Sequence, residues 1–319
     1  MPVKIHSYGG IVTWIIRKYC SNISSKVALY FADRCYRDII NEYIQYFLQG
    51  EENGKTPLFR VVNIETINRC NGKCEFCPAN IYTEKRPLKK MTDETFKNIV
   101  KQLKELNFDG QIFLNINNEP LIDVNLIDRA KLLRETLGGA VHLSLITNAT
   151  LLTEEKMDEC GKYFDDICIN NYSEYYKLLE HNRILYDYIK KNEEKFRECD
   201  VSIRRRYSKE ILGTRAGNAP NKPKKNNKID SPCIYVYTDI SIYPDGTVGL
   251  CCNDCFEKTD FGNINNKSMK EIWEQKELCE IRRKMREGRT KYPFCVECDV
   301  ADSGFREKLI RDELKSKVL

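Results

Sequence analysis

The sequence predicts an α/β protein: a partial parallel barrel followed by a small domain rich in cysteines. Two observations carry this. Between residues 58 and 207, short β-branched, apolar runs alternate with amphipathic helical segments through short links, the pattern of a parallel sheet covered by helices. Three cysteines sit directly behind the first of these strands, where a barrel places its active site. A second set of cysteines follows residue 232.

The elements follow in order. Residues 1–57 read as a helical extension. Val27 to Gln49 carries Val27, Phe31, Cys35, Ile39, Ile40, Tyr43, Ile44 and Phe47 at helical spacing, with Gly50 as the stop. Such a helix covers one face of the core or, alternatively, docks on a membrane surface or partner. Residues 59–65 form a strand that delivers the cysteine loop. Thr92 caps a helix to Leu106, and Gln111–Ile116 is the next strand. A helix near 124–137 ends at Gly138-Gly139. Val141–Ile146 is a third strand, and Thr153-Glu154-Glu155 opens another helix. Strands at 166–170 and 200–204 complete the set. The stretch 208–232 is rich in Gly, Asn, Pro and Lys and reads as a linker or mobile loop, or as a cationic flap over an anionic substrate. From 233 to 302 the sequence predicts a hairpin over 238–250 turned at Asp245-Gly246, a helix over Ser268–Arg286 containing Trp273, and the pair Cys295/Cys298. Residues 303–319 read as a charged helix without chemistry.

The 319 residues are 41% hydrophobic and 31% charged, which fits a folded globular chain. A net charge of +5 from 52 basic and 47 acidic residues is too balanced to point to nucleic acid. No run reaches the roughly 20 apolar residues of a membrane span. No secretory signal is visible, so a cytoplasmic setting is expected, and there the 15 cysteines read as metal ligands and not as disulfides.

The most informative stretch is Cys70-Asn71-Gly72-Lys73-Cys74-Glu75-Phe76-Cys77, spaced C-x3-C-x2-C. Thiolates are soft ligands for iron–sulfur clusters and zinc. Both usually want four protein ligands, so either a distant residue completes the set or one position stays open to a non-protein ligand.

With that triplet behind a first strand and Phe76 before the last cysteine, the sequence resembles the radical S-adenosylmethionine (SAM) superfamily. The resemblance implies a partial (β/α)6 barrel in which Cys70, Cys74 and Cys77 hold a [4Fe–4S] cluster whose open iron binds SAM. It implies cofactor contacts from Phe76, from Asn117, Asn118 and Glu119 before Pro120, from Ser144, Thr147 and Asn148, from Ser173, and from Arg204 or Arg206. Asn117 and Asn118 depart from the Gly-Gly that the family often has there. Cys233, Gly246 and Cys251 resemble the opening of SPASM and Twitch domains, with Cys295 and Cys298 as the matching pair. This implies a second, fully ligated [4Fe–4S] cluster; a zinc knuckle is the alternative for four such cysteines. Cys252, next to a ligand, could face the barrel and donate a hydrogen atom, or be a spectator, or replace Cys251 as ligand. Cys255 has the same open choice. Asp254 is read as a turn cap and His142 as a packed strand residue, while Arg215 is a weak candidate for a substrate or SAM contact. Cys20, Cys35, Cys160, Cys168, Cys199 and Cys279 lack ligand spacing.

The expected activity is hydrogen abstraction from a carbohydrate or other hydroxyl-rich metabolite, giving epimerisation through Cys252 or dehydrogenation. A ribosomally made peptide substrate, and a non-catalytic metal-stabilised binding protein, are the alternatives. An external electron donor such as a flavodoxin or ferredoxin is implied.

Overall fold

The computed structural model describes residues 4–7, 38–175, 177–222, 230–300 and 305–318. Cys20, Cys35, the start of the expected first helix and the lysine-rich centre of the 208–232 stretch lie outside these residues.

One sheet organises the chain. Its strands are β1 (Lys4–Ser7), β2 (Val61–Ile64), β3 (Gln111–Phe113), β4 (His142–Thr147), β5 (Asp166–Ser173), β6 (Asp200–Tyr207), β7 (Asp239–Ile242) and β8 (Val248–Gly249), in the order β1-β6-β5-β4-β3-β2-β7-β8. All neighbours are parallel except β7 and β8, which form the Asp-Gly hairpin. Gly246 sits at φ 88°, the left-handed turn conformation that glycine adopts without a Cβ penalty. Helices α1 (38–52), α2 (Asp93–Glu105), α3 (Leu126–Leu137), α4 (Glu154–Tyr163), α5 (Glu180–Lys191), α6 (Met269–Glu274), α7 (Lys276–Glu287) and α8 (Phe305–Val318) complete the fold. Thr92 and Thr153 cap α2 and α4 through their hydroxyls, as their sequences require.

The sheet's two faces differ. Ile64, Ile112, Leu143, Leu145, Ile167 and Ile240 join the hydrophobic core. The residues between them point the other way. That second face carries Asn63, Gln111, Ser144, Asp166, Asp239 and Ser241, all but Asp166 fully or nearly fully buried. Gln111 Nε2 donates to Ser144 Oγ at 2.6 Å, and Ser144 Oγ to Asp166 Oδ1 at 2.7 Å.

Three expectations need correction. Residues 1–57 are not wholly helical: Lys4–Ser7 adds a parallel strand beside β6. The first helix runs two residues past Gly50, ending at 52. It is a core helix: Phe47 stacks edge-on with Tyr237 and Trp273 at 5.5 and 6.0 Å, and Glu51 pairs with the fully buried Arg282 at 2.9 Å. Second, the expected Ser268–Arg286 helix breaks at Gln275, whose ψ of 149° is extended; Ser268 starts α6 with a capping box. Third, His142 is half-exposed and bonds Asp166 at 2.7 Å, because it opens its strand instead of sitting within it.

Residues 208–222 do not run free. Thr214 N donates to Asp299 Oδ1 at 2.5 Å and Thr214 Oγ1 to Glu297 O at 2.5 Å, and Lys222 pairs with Asp299. The last helix is not inert either. Arg306 forks onto Asp239, with Nε donating to Oδ1 at 2.8 Å, and stacks 3.8 Å over the Tyr235 ring. Among the described residues no helix is long and apolar enough to cross a membrane.

Candidate active site

The triplet loop leaves β2 at its carboxyl end. Buried Asn80, three residues past Cys77, shapes it: its Nδ2 donates to Cys74 O at 3.0 Å and Cys77 O at 2.7 Å, and its Oδ1 accepts from Tyr82 N and Thr83 N at 2.8 and 3.2 Å. Gly72 N donates to Cys70 Sγ at 3.3 Å. A Cβ on Gly72 would stand 3.2 Å from Cys70 Sγ and 3.7 Å from Cys74 Sγ. The glycine thus keeps open a cradle among soft donors, which fits a cluster held by three thiolates. Burial pushes the Cys70 and Cys74 thiols up to about 12, so the bare loop keeps them protonated; a bound metal would deprotonate them.

Several expected residues converge beside this loop. Glu119 is 2% exposed. Its carboxylate accepts from Leu121 N at 3.2 Å, Thr147 Oγ1 at 2.6 Å and Asn148 N at 2.8 Å. Burial raises its carboxyl above the usual range against these bonds. Asn148 Nδ2 reaches Asn71 Oδ1 at 2.8 Å, tying the end of β4 to the triplet. Phe76 packs on Tyr172 with centroids 5.5 Å apart, and Arg206 lies over the same Tyr172 ring at 5.5 Å.

Other expected residues do not join them. Ser144 lies three residues below Thr147, roughly 10 Å along the strand, and is committed to Gln111 and Asp166. Ser173 Oγ caps a turn by donating to Lys177 O at 2.7 Å. Asn118 Oδ1 accepts from Ile116 N within its own loop. Arg204 sits two residues further down β6 than Arg206; both act on Cys168, and Arg206 also acts on Cys74 of the triplet. Asn117 faces the C-terminal unit: its Nδ2 donates to Cys252 O at 3.3 Å and its Oδ1 accepts from Cys255 Sγ at 3.3 Å. Its own N–H donates to Glu65 Oε1 at 3.1 Å.

A second thiol group gathers below the hairpin. Cys251 feels Cys295, Cys233 and Cys298 as well as its neighbour Cys252, and burial raises it well above the ordinary thiol value. Among the described residues no three His, Cys, Asp or Glu side chains are arranged to hold a single metal ion. Asp254 is the expected turn cap, accepting from Lys258 N at 2.9 Å and Thr259 N at 2.8 Å.

Arg215, whose sequence signal is slight, lies near Cys77 of the triplet and near Cys252 and Cys255. It and Ala216 hold φ of 51° and 52°, an unusual pair of left-handed residues. The charges that weigh on its guanidinium include Cys255, Cys77 and Cys252. Its Nη1 donates to Asn253 Oδ1 at 3.3 Å; its other N–H groups have no partner among the described residues. Burial raises Cys252 to about 11 and Cys255 to about 12, so both are thiols at neutral pH.

Comparison with known proteins agrees with this architecture. The radical SAM superfamily model matches residues 64–202, and the SPASM iron-sulfur cluster-binding domain matches residues 233–299. The S-adenosyl-L-methionine-dependent 2-deoxy-scyllo-inosamine dehydrogenase of Niallia circulans is 25% identical over 246 residues, 76% of this chain and 93% of that protein. The crystal structure of BtrN in complex with AdoMet and 2-DOIA superposes with a TM-score of 0.65 at 23% identity, covering 76% of this chain and 94% of that one. Likeness of fold extends to His6-tagged anSMEcpe with bound AdoMet, with a TM-score of 0.51 at 12% identity over 82% and 96% of the two chains. These matches set aside the non-catalytic reading: residues 64–202 form a radical SAM domain and residues 233–299 a SPASM domain, those of an enzyme whose cofactors are SAM and iron–sulfur clusters.

Proposed function

We propose that this enzyme dehydrogenates a secondary alcohol on a small, carbohydrate-like molecule. The observation that carries the reading is Arg215, a guanidinium with unpartnered N–H groups near Cys77 of the triplet and near Cys252 and Cys255. The polar face of the sheet supports it, since hydroxyl groups need buried donors and acceptors to bind. The dehydrogenase name of the Niallia circulans relative supports it too.

Cys70, Cys74 and Cys77 would hold the first cluster, and Cys233, Cys251, Cys295 and Cys298 the second. When bound, SAM and the first cluster supply a 5′-deoxyadenosyl radical that removes a substrate hydrogen atom, and the second cluster supplies an acceptor for the remaining electron. The chain's own residues do the rest. Glu119, Thr147 and Asn148, bonded to one another beside the triplet, would hold SAM. Phe76 and Tyr172 cover the triplet and exclude water. Arg215 holds the substrate oxygen by its free N–H groups and favours loss of that oxygen's proton. A reduced flavodoxin or ferredoxin is the proposed source of the first electron.

Epimerisation is the competing reading, and the position of Cys252 beside Arg215 is what favours it. Anaerobic turnover in heavy water separates the two. Dehydrogenation yields a product lighter by two hydrogens; an isomer carrying one solvent deuteron would overturn it.

A further inference from the structure

Three arginines are deeply buried in the C-terminal half, and two of them have a carboxylate. Arg282 pairs with Glu51 at 2.9 Å, and Arg306 forks onto Asp239. Arg289, 4% exposed, has none. Its Nε donates to Ser231 O at 3.2 Å and its Nη1 to Val300 O, and no carboxylate pairs with it among the described residues. A buried guanidinium without a counter-ion costs several kcal/mol in principle, so something must balance its charge.

The position of Arg289 names the balancing group. Its two carbonyl partners lie two residues before Cys233 and two residues after Cys298, so the side chain is braced across both ends of the four-thiol set. Burial works against its charge, but Cys233, Cys298 and Cys295 are the charges that favour it most. The backbone is built to deliver it. Gly288 ends α7 at φ 136°, and a Cβ there would meet Asp230 Oδ1 at 2.3 Å. Thr290 Oγ1 holds that same Asp230 oxygen at 2.6 Å, so the residues on either side of Arg289 are pinned.

We propose that Arg289 is the resident counter-ion of the auxiliary iron–sulfur cluster and sets its reduction potential. The inference rests on the reading of Cys233, Cys251, Cys295 and Cys298 as cluster ligands, but not on which substrate is oxidised. A [4Fe–4S] core with four thiolates carries net negative charge, and gains one more on reduction. A fixed cation beside it favours the reduced form and raises the potential. In the proposed reaction one electron leaves the substrate after its hydrogen atom and proton, and the cluster gains it. Arg289 therefore makes the cluster a better acceptor. It is a positioning and tuning residue that touches no reacting atom.

The test uses the full-length chain with Cys70, Cys74 and Cys77 changed to Ala, so that only the auxiliary cluster is reconstituted. Redox titration followed by electron paramagnetic resonance reads its potential. Arg289→Gln is expected to lower it by about tenfold in the reduction equilibrium, ~59 mV for one electron, at unchanged iron content. Arg289→Lys keeps the charge and is expected to hold the parent value. An unchanged potential in Arg289→Gln would overturn the proposal, as would an equal drop in both variants. If Arg289→Gln fails to take up iron, Arg289→Lys decides alone: a tenfold drop at full iron content refutes the charge role. Absence of any cluster in the parent chain would instead refute the four-thiol reading on which the inference rests.

Discussion

Arg306→Met tests how the last helix is tied to the sheet. Arg306 and Asp239 form a two-pronged pair whose side chains are 8% and 0% exposed. Asp239 also accepts from Thr238 Oγ1 at 2.7 Å and Asn63 Nδ2 at 3.2 Å. Removing the guanidinium leaves a carboxylate in the interior with two neutral donors. Breaking one side of such a pair costs about 3–5 kcal/mol, because the surviving charge is stranded. Removing both charges in Asp239→Asn/Arg306→Met should cost only about 1–2 kcal/mol, the value of the hydrogen bonds lost. Urea unfolding followed by tryptophan fluorescence is the assay, since Trp273 is buried against Phe47 and Phe59. The double variant is expected to be more stable than the single one by about 2 kcal/mol. A single variant within about 1 kcal/mol of the parent, or a double variant that is less stable than the single, would refute the reasoning.

Further outcomes follow from the same geometry. Glu65 is fully buried, and burial raises its carboxyl from the ordinary 4.5 to about 7 despite Arg86. A raised folded value means its contribution is complete below about 4.5 and is lost as pH rises through about 7. Glu65→Gln should remove about 3 kcal/mol of pH-dependent stability across that window, and equal pH slopes in parent and variant would count against it. Asn80→Ala should lose the triplet cluster while keeping the auxiliary one, so iron per chain falls from about eight to about four; unchanged iron would show that the four bonds of Asn80 do not shape the loop. Cys252→Ala should keep dehydrogenation within about threefold, an effect below 1 kcal/mol, and complete loss would show that the reaction needs this thiol.

The barrel was legible because its signals are local. Apolar strands with period two, Thr92 and Thr153 as caps, and Asp245-Gly246 as a turn each act within a few residues. The triplet was legible for the same reason. What escaped the sequence depends on contacts between distant segments. Lys4–Ser7 is four residues long and becomes a strand only because β6 offers a parallel edge. Ser144 has the right residue type for a cofactor contact, but its height on β4 depends on the register with β3 and β5. Arg204 and Arg206 point the same way, and only the length of β6 decides which meets Tyr172. Arg306 falls in a segment that reads only as a charged helix, and Arg289 carries no sequence signal at all. Their burial follows from the docking of those segments on the cysteine-bearing unit. Asn80 could have been found: an asparagine three residues behind a cysteine loop is a common turn former.

The most direct test of the account traces one hydrogen atom. Reconstituted enzyme, dithionite, SAM and a set of small carbohydrate-like alcohols deuterated at their carbinol carbons are mixed without oxygen, and 5′-deoxyadenosine is analysed by mass. Deuterium is expected in the deoxyadenosine, in step with a ketone product. Ketone formed alongside deoxyadenosine that carries no deuterium would contradict it.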